Sequence, residues 1–245
     1  MVCFSPDVIK VFDHWGERDL LVSLEASHQE LLDRRIAAIV FGKEKDLTPR
    51  KRVASSCQLL QQSLLHRAER LLASSGTMLL ENNIYGLALI VRGHYEATAV
   101  LGYFCHRLES LAAGKISFED FEWNIADAVM GAKHPQFAKA RPPLNILNCF
   151  EKADKYLDKH VFEAKKGMLR DGYDWLSEFV HPNFLSNISA FTLDKPNHRM
   201  VLRHGGDLQK VDFQLPHYLE ICSGLFVLLF DAFNERAING GLGPQ

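Results

Sequence analysis

TMLLENNIYGLALIVRGHYEATAVLGYFCHRLESL, residues 77–111, is apolar on nearly every side of a helical projection, and a helix without a polar face belongs at the centre of a fold. The stretch therefore predicts a long central helix that other helices must cover. Gly86, Gly93 and Gly102 fall inside it. Each weakens a helix by up to about 1 kcal/mol relative to alanine unless a neighbouring helix approaches closely. Gly114 is placed to end it.

The covering helices follow on both sides. From Glu17 to Phe41, Leu20, Leu21, Leu24, Leu31, Leu32, Ile36 and Ile39 recur at helical spacing, with Gly42 as a stop. Thr48-Pro49 is an N-cap followed by proline in the first turn, so a second helix is expected from there to Ser74, with a break at Ser74-Ser75-Gly76. Its basic opening, Arg50-Lys51-Arg52, reads as a solvated helix start. Beyond the central helix, Ser117 caps a short helix closing at Gly131, Arg141-Pro142-Pro143 opens another to about Lys166, and a further one runs from near Asp171 to before Pro182.

Between Asn187 and Gln214 the pattern changes. ISAFTL and HRMVLRH alternate over short distances around the turn residues Lys195-Pro196-Asn197, which predicts a β-hairpin with a third strand at VDFQ. An apolar helix from about Pro216 to Ile238 closes the chain, and GGLGPQ reads as a loose tail. The expectation is one mostly α domain over 1–245. It is a bundle of about six or seven helices with a small hairpin inserted at 187–214, before the last helix.

Of the 245 residues, 47% are hydrophobic and 24% charged, enough apolar surface for a packed core and against disorder. A formal charge of -2 gives no support to a large nucleic-acid footprint or an electrostatic membrane anchor. The longest apolar runs, IYGLALIV at 84–91 and GLFVLLF at 224–230, fall short of the roughly 20 residues that span a bilayer. The N-terminal residues lack a secretory pattern, so a cytoplasmic location is expected. Cys3, Cys57, Cys105, Cys149 and Cys222 form no close pair, which fits reduced thiols.

GYDWLSEFVHPN, residues 172–183, carries the polar signal. Trp175, Leu176, Phe179 and Val180 share one arc of a helix and Asp174 and Glu178 lie opposite, leaving Tyr173, Ser177 and His181 in a line along the edge of the apolar face. On the central helix, Arg92 and Glu96 sit one turn apart in apolar surroundings. An arginine there needs Glu96 and a further acceptor. Two readings follow: polar groups that only fix how helices dock, or a polar cavity in which Arg92 binds an anionic or carbonyl group and His181 transfers a proton near neutral pH.

VRGHYEATAVLGYF at 91–104, followed by YDWLSEFVHPN at 173–183, a hairpin and a last apolar helix, resembles a group of uncharacterised bacterial helical proteins, some of them distantly similar to the HEPN superfamily. The resemblance covers about residues 77–238. It implies a helical fold and either RNA cleavage, as in HEPN toxin and antiphage ribonucleases, or nucleotide binding, as in their inactive relatives. HEPN ribonucleases carry Arg-x4-6-His at a helix boundary, acting across a dimer. Here no arginine precedes His181 at that distance, and the literal match, Arg199 to His204, lies in an expected strand whose alternate residues face opposite ways.

Glu25-x-x-His28 and Glu178-x-x-His181 both match the unit that di-metal carboxylate bundles use twice, and Glu96 and Glu235 can complete such a set on paper. Chance supplies about one such match in a chain of this composition, so no metal or cofactor is expected. No His-Glu-x-x-His, phosphate-cradling glycine loop or Gly-x-Ser-x-Gly is present. The expected function is a non-catalytic or regulatory module with a ligand pocket formed by Arg92, Glu96, Tyr173, Ser177 and His181. Its expected partners are a small anion, with RNA or a nucleotide as the alternative, and a second copy of the chain rather than a membrane.

Overall fold

The computed structural model describes residues 4–40, 48–137, 139–161, 166–182, 186, 189–202 and 214–243. It is a mostly α bundle with one antiparallel hairpin before the last helix. Among the described residues there are eight α-helices: α1 Pro6–Trp15, α2 Arg18–Asp33, α3 Pro49–Leu80, α4 Ile84–Ala112, α5 Phe118–Met130, α6 Ile146–His160, α7 Met168–Val180 and α8 Gln214–Asn239. Strands β1, Phe191–Asp194, and β2, Arg199–Leu202, pair with Phe191 opposite Leu202 and Asp194 opposite Arg199. The expected third strand at 211–213 lies outside the described residues, and Gln214 already belongs to α8.

Helix ends follow local chemistry. Ser117 and Asp120 form a reciprocal capping box at the start of α5. Gly16, Asn82, Gly114 and Gly241 have φ of 70°, 52°, 67° and 69° and close α1, α3, α4 and α8. In each case the next residue's N–H returns to a carbonyl five back, as in Leu242 N to Ala237 O at 2.7 Å, a Schellman arrangement.

Several boundaries differ from expectation, each for a visible reason. A separate α1 precedes α2 because Ser5 caps it and Gly16 stops it. Helix α2 ends at Asp33 rather than Phe41, since the Gln62 amide takes the next polar backbone groups: its Nε2 donates to Arg34 O at 3.1 Å and its Oε1 accepts from Ile36 N at 3.3 Å. Helix α3 runs through Ser74-Ser75-Gly76 without a break. Both serine hydroxyls bond back to carbonyls of their own helix, and a Cβ on Gly76 would lie 2.8 Å from the Phe4 ring.

The turn comes instead at Asn82, so α4 starts at Ile84 and not at Thr77. Helix α6 begins after Asn145, whose side chain accepts from Leu147 N and Asn148 N, and it ends at His160. Arg141, expected to open that helix, instead pairs its backbone with Gly131 in an isolated parallel bridge. Within the stretch expected to be a loose tail, Leu242 is buried, while 244 and 245 lie outside the described residues.

The chain forms two compact units, one of Met1–Leu32, Ala68–Tyr95 and Asp171–Gly224, the other of Asp33–Arg67, Glu96–Arg170 and Leu225–Gln245. In the first, Phe12, Leu21, Leu24, Leu72, Val91, Leu176 and Leu219 are fully or nearly fully buried. In the second, Leu65, Phe104, Phe121, Phe150, Phe226 and Leu229 are. Gly102 admits α6 closely there: a Cβ would come within 2.6 Å of the Ala153 Cβ, which explains a glycine inside α4.

The length and composition of α8 also match a membrane-crossing helix, although half of its most apolar window is buried within the protein. That residue pattern was not apparent from its uninterrupted apolar run alone.

Candidate functional site

Helix α7 is set in place from its first residues. Gly167, with φ of 69°, turns the chain, and the buried Asp154 carboxylate of α6 accepts from Leu169 N at 3.0 Å and Arg170 N at 3.1 Å. A carboxylate at a helix N-terminus satisfies orphan donors and meets the positive end of the helix dipole. This tertiary cap explains why the helix begins before Asp171.

Farther along, α7 packs by shape. Trp175 stacks on Tyr218 of α8 with centroids 4.6 Å apart and planes at 12°, and Phe179 meets Trp175 edge-on at 4.8 Å. Gly172 lies against the buried Tyr95 ring of α4, where a Cβ would approach to 2.5 Å. Gly172→Ala is therefore expected to cost about 2 kcal/mol by overpacking, read as a lower urea midpoint at unchanged denaturant slope. A wild-type midpoint would refute this close approach.

With α7 so placed, Arg92 of α4 reaches two of the polar residues expected to join it. Its Nη2 donates to the Tyr173 hydroxyl at 2.6 Å, and its Cζ stands 4.7 Å from the Tyr173 ring centroid. Its Nη1 lies 3.5 Å from His181 Nε2. With the guanidinium as donor, that contact makes Nε2 the acceptor and puts the ring proton on Nδ1. The cluster runs from core to solvent: Tyr173 is buried, Arg92 half-buried and His181 exposed. Two turns earlier on α4, the Tyr85 hydroxyl donates to Ser186 O at 2.8 Å, holding that residue beside the same helix.

Ser177 and Glu96 have other contacts. The Ser177 hydroxyl donates to Tyr173 O within its own helix at 2.8 Å, as a mid-helix serine often does. Glu96 belongs to the second unit and accepts from Arg67 Nη2 at 3.5 Å. The first half of α4 is also less enclosed than expected, since Tyr85 and Leu89 are exposed.

The Glu25-x-x-His28 match resolves differently. His28 Nε2 lies 3.1 Å from Oε1 of Glu69, a carboxylate with no exposed surface that also takes both Nε and Nη2 of Arg70. No group of three or more His, Cys, Asp or Glu suited to a metal occurs among the described residues. Arg199, half of the literal Arg-x4-His match, bonds Asp194 at 2.8 Å across the hairpin, and His204 lies outside the described residues.

Two buried polar groups had no distinctive sequence signal. Glu69 faces His28 from 41 positions away. His94 is fully buried with its Nε2 3.3 Å from Ser223 Oγ. Burial lowers the His94 pKa to about 4, because the imidazolium would have no water around it. A lone histidine inside an apolar helix reads as either core or ligand until its neighbours are known.

Cysteine chemistry is quiet. Cys57, Cys105, Cys149 and Cys222 are buried and form no disulfide among the described residues, and burial pushes the Cys57 and Cys149 thiols up to about 12. No protein-family model, curated protein or solved structure matches the chain.

Proposed function

We propose that this protein is a non-catalytic, regulatory helical module whose ligand site is the Arg92, Tyr173 and His181 cluster, and that the ligand presents a small anionic group. The supporting observation is that the Arg92 guanidinium is oriented by the Tyr173 hydroxyl and ring while standing beside an exposed imidazole. A guanidinium held in one orientation recognises a carboxylate or phosphate with little further ordering. A phosphate approaching His181 from solvent meets the permanent charge of Arg92 and an imidazole able to donate from Nδ1. The same reading places the protein in the cytoplasm, off the membrane, as a homo-oligomer.

One observation favours a second reading, a HEPN-like ribonuclease or nucleotide-binding defence protein. Arg92 and His181 are 89 positions apart in sequence yet 3.5 Å apart in space, a pairing of the residue types that those enzymes direct at RNA phosphodiesters. Titration with inorganic phosphate and with adenosine monophosphate, and incubation with a short single-stranded RNA, separate the two. The regulatory reading expects phosphate binding that weakens about tenfold in Arg92→Gln, with no further gain for the nucleotide and with RNA left intact. The nuclease reading expects cleavage that disappears in folded His181→Gln, with salt-sensitive RNA affinity. Absence of both binding and cleavage would sink this site.

A further inference from the structure

A second site is suggested by a cleft of about 640 Å³ in the second unit, lined by Arg50 and Arg236 and walled by Leu108, Leu111 and Phe118. Its volume lies within the roughly 300–1,000 Å³ typical of small-molecule sites. Arg34, Arg52, Arg67 and Arg141 of the same unit each hold a carboxylate, Asp231, Glu122, Glu96 and Asp127 respectively. Arg50 and Arg236 hold none among the described residues.

Their contacts are with rings. Arg50 Cζ stands 5.9 Å from the Phe118 centroid. Arg236 Cζ stands 5.1 Å from that of Tyr156, and its Nε donates to the Tyr156 hydroxyl at 2.9 Å. A phenol hydroxyl is a neutral acceptor, so neither positive charge is matched. Glu109, the carboxylate nearest in effect to Arg236, is itself bonded by Lys159 and His160.

Helix termini bordering the cleft offer limited compensation. The carbonyls of Arg236, Ala237 and Ile238 accept from Gly240, Leu242 and Gly241, and those of Ser110 and Leu111 accept from Lys115 and Gly114. Two guanidiniums over aromatic faces beside an aliphatic wall form a site with a charged end and an apolar floor. We infer that this cleft binds a small organic anion, its acidic group between Arg50 and Arg236 and its apolar body against Leu108, Leu111 and Phe118.

The test is calorimetric titration of the full chain with 1-naphthoate and with the uncharged 1-naphthylmethanol. Naphthoate is expected to bind at least about tenfold more tightly than the alcohol, and Arg50→Gln and Arg236→Gln are each expected to weaken it about tenfold. Arg236→Gln also removes the bond to Tyr156, so the exposed Arg50→Gln carries the test if the former unfolds. No naphthoate binding, equal binding of acid and alcohol, or full affinity in folded Arg50→Gln would each overturn the assignment.

Discussion

Replacing Glu69 with alanine is expected to remove about 2–3 kcal/mol of stability, because it strips a hydrogen-bond acceptor from the buried His28 and leaves space behind it. Glu69 has no exposed surface, and its two oxygens hold the His28 Nε2 and two nitrogens of Arg70. Without them the buried His28 ring keeps its desolvation penalty and loses this acceptor. Glu69→Gln retains an oxygen toward His28 and should cost less. Exchanging both residues together, as in His28→Leu with Glu69→Leu, should cost less than Glu69→Ala alone, because no stranded polar group remains on the histidine side. Urea unfolding of the three variants measures the order. A loss below about 1 kcal/mol in Glu69→Ala would show that the carboxylate does not govern the packing of α2 on α3.

Acidification should expose the second large effect, at His94. In the folded protein its pKa is about 4, whereas in the unfolded chain it is near 6.5. Between these values the unfolded chain holds a proton that the folded one does not, so stability falls as pH falls. The contribution is complete above pH 6.5, declines through the window and is lost by about pH 4, amounting to about 3 kcal/mol. His94→Gln should flatten the dependence on pH by about 2.5 kcal/mol when urea unfolding at pH 7 and at pH 4.5 is compared with the wild type. Carboxylates such as Glu109, Asp120 and Asp194, held below their usual range by hydrogen bonds and cations, also lose stability at low pH. Subtracting the variant's curve from the wild-type curve removes them. Identical curves would mean that burial does not depress His94.

The polar cluster was partly legible. Tyr173 and His181 face Arg92 because residues four and eight positions apart share a side of α7, which periodicity reveals without a partner. Ser177 lies on the same line, yet a hydroxyl on a short side chain bonds the carbonyl of its own preceding turn. Arg92 has partners on and just after α7, and Glu96 has one on α3, contacts supplied by helices distant in sequence.

Helix type, the hairpin and several ends were written locally, since caps and left-handed turns depend on a few adjacent residues: Ser117 with Asp120, Thr48 before Pro49, Gly114 after α4. Continuity and partnership were not. Gly76 looks like a breaker until the Phe4 ring occupies the space its side chain would need. Likewise, Asp154 caps α7 from another helix, and Glu69 meets His28 across 41 residues. Such relations depend on which surfaces exclude water together, a condition set by packing in three dimensions and carried by no single local pattern.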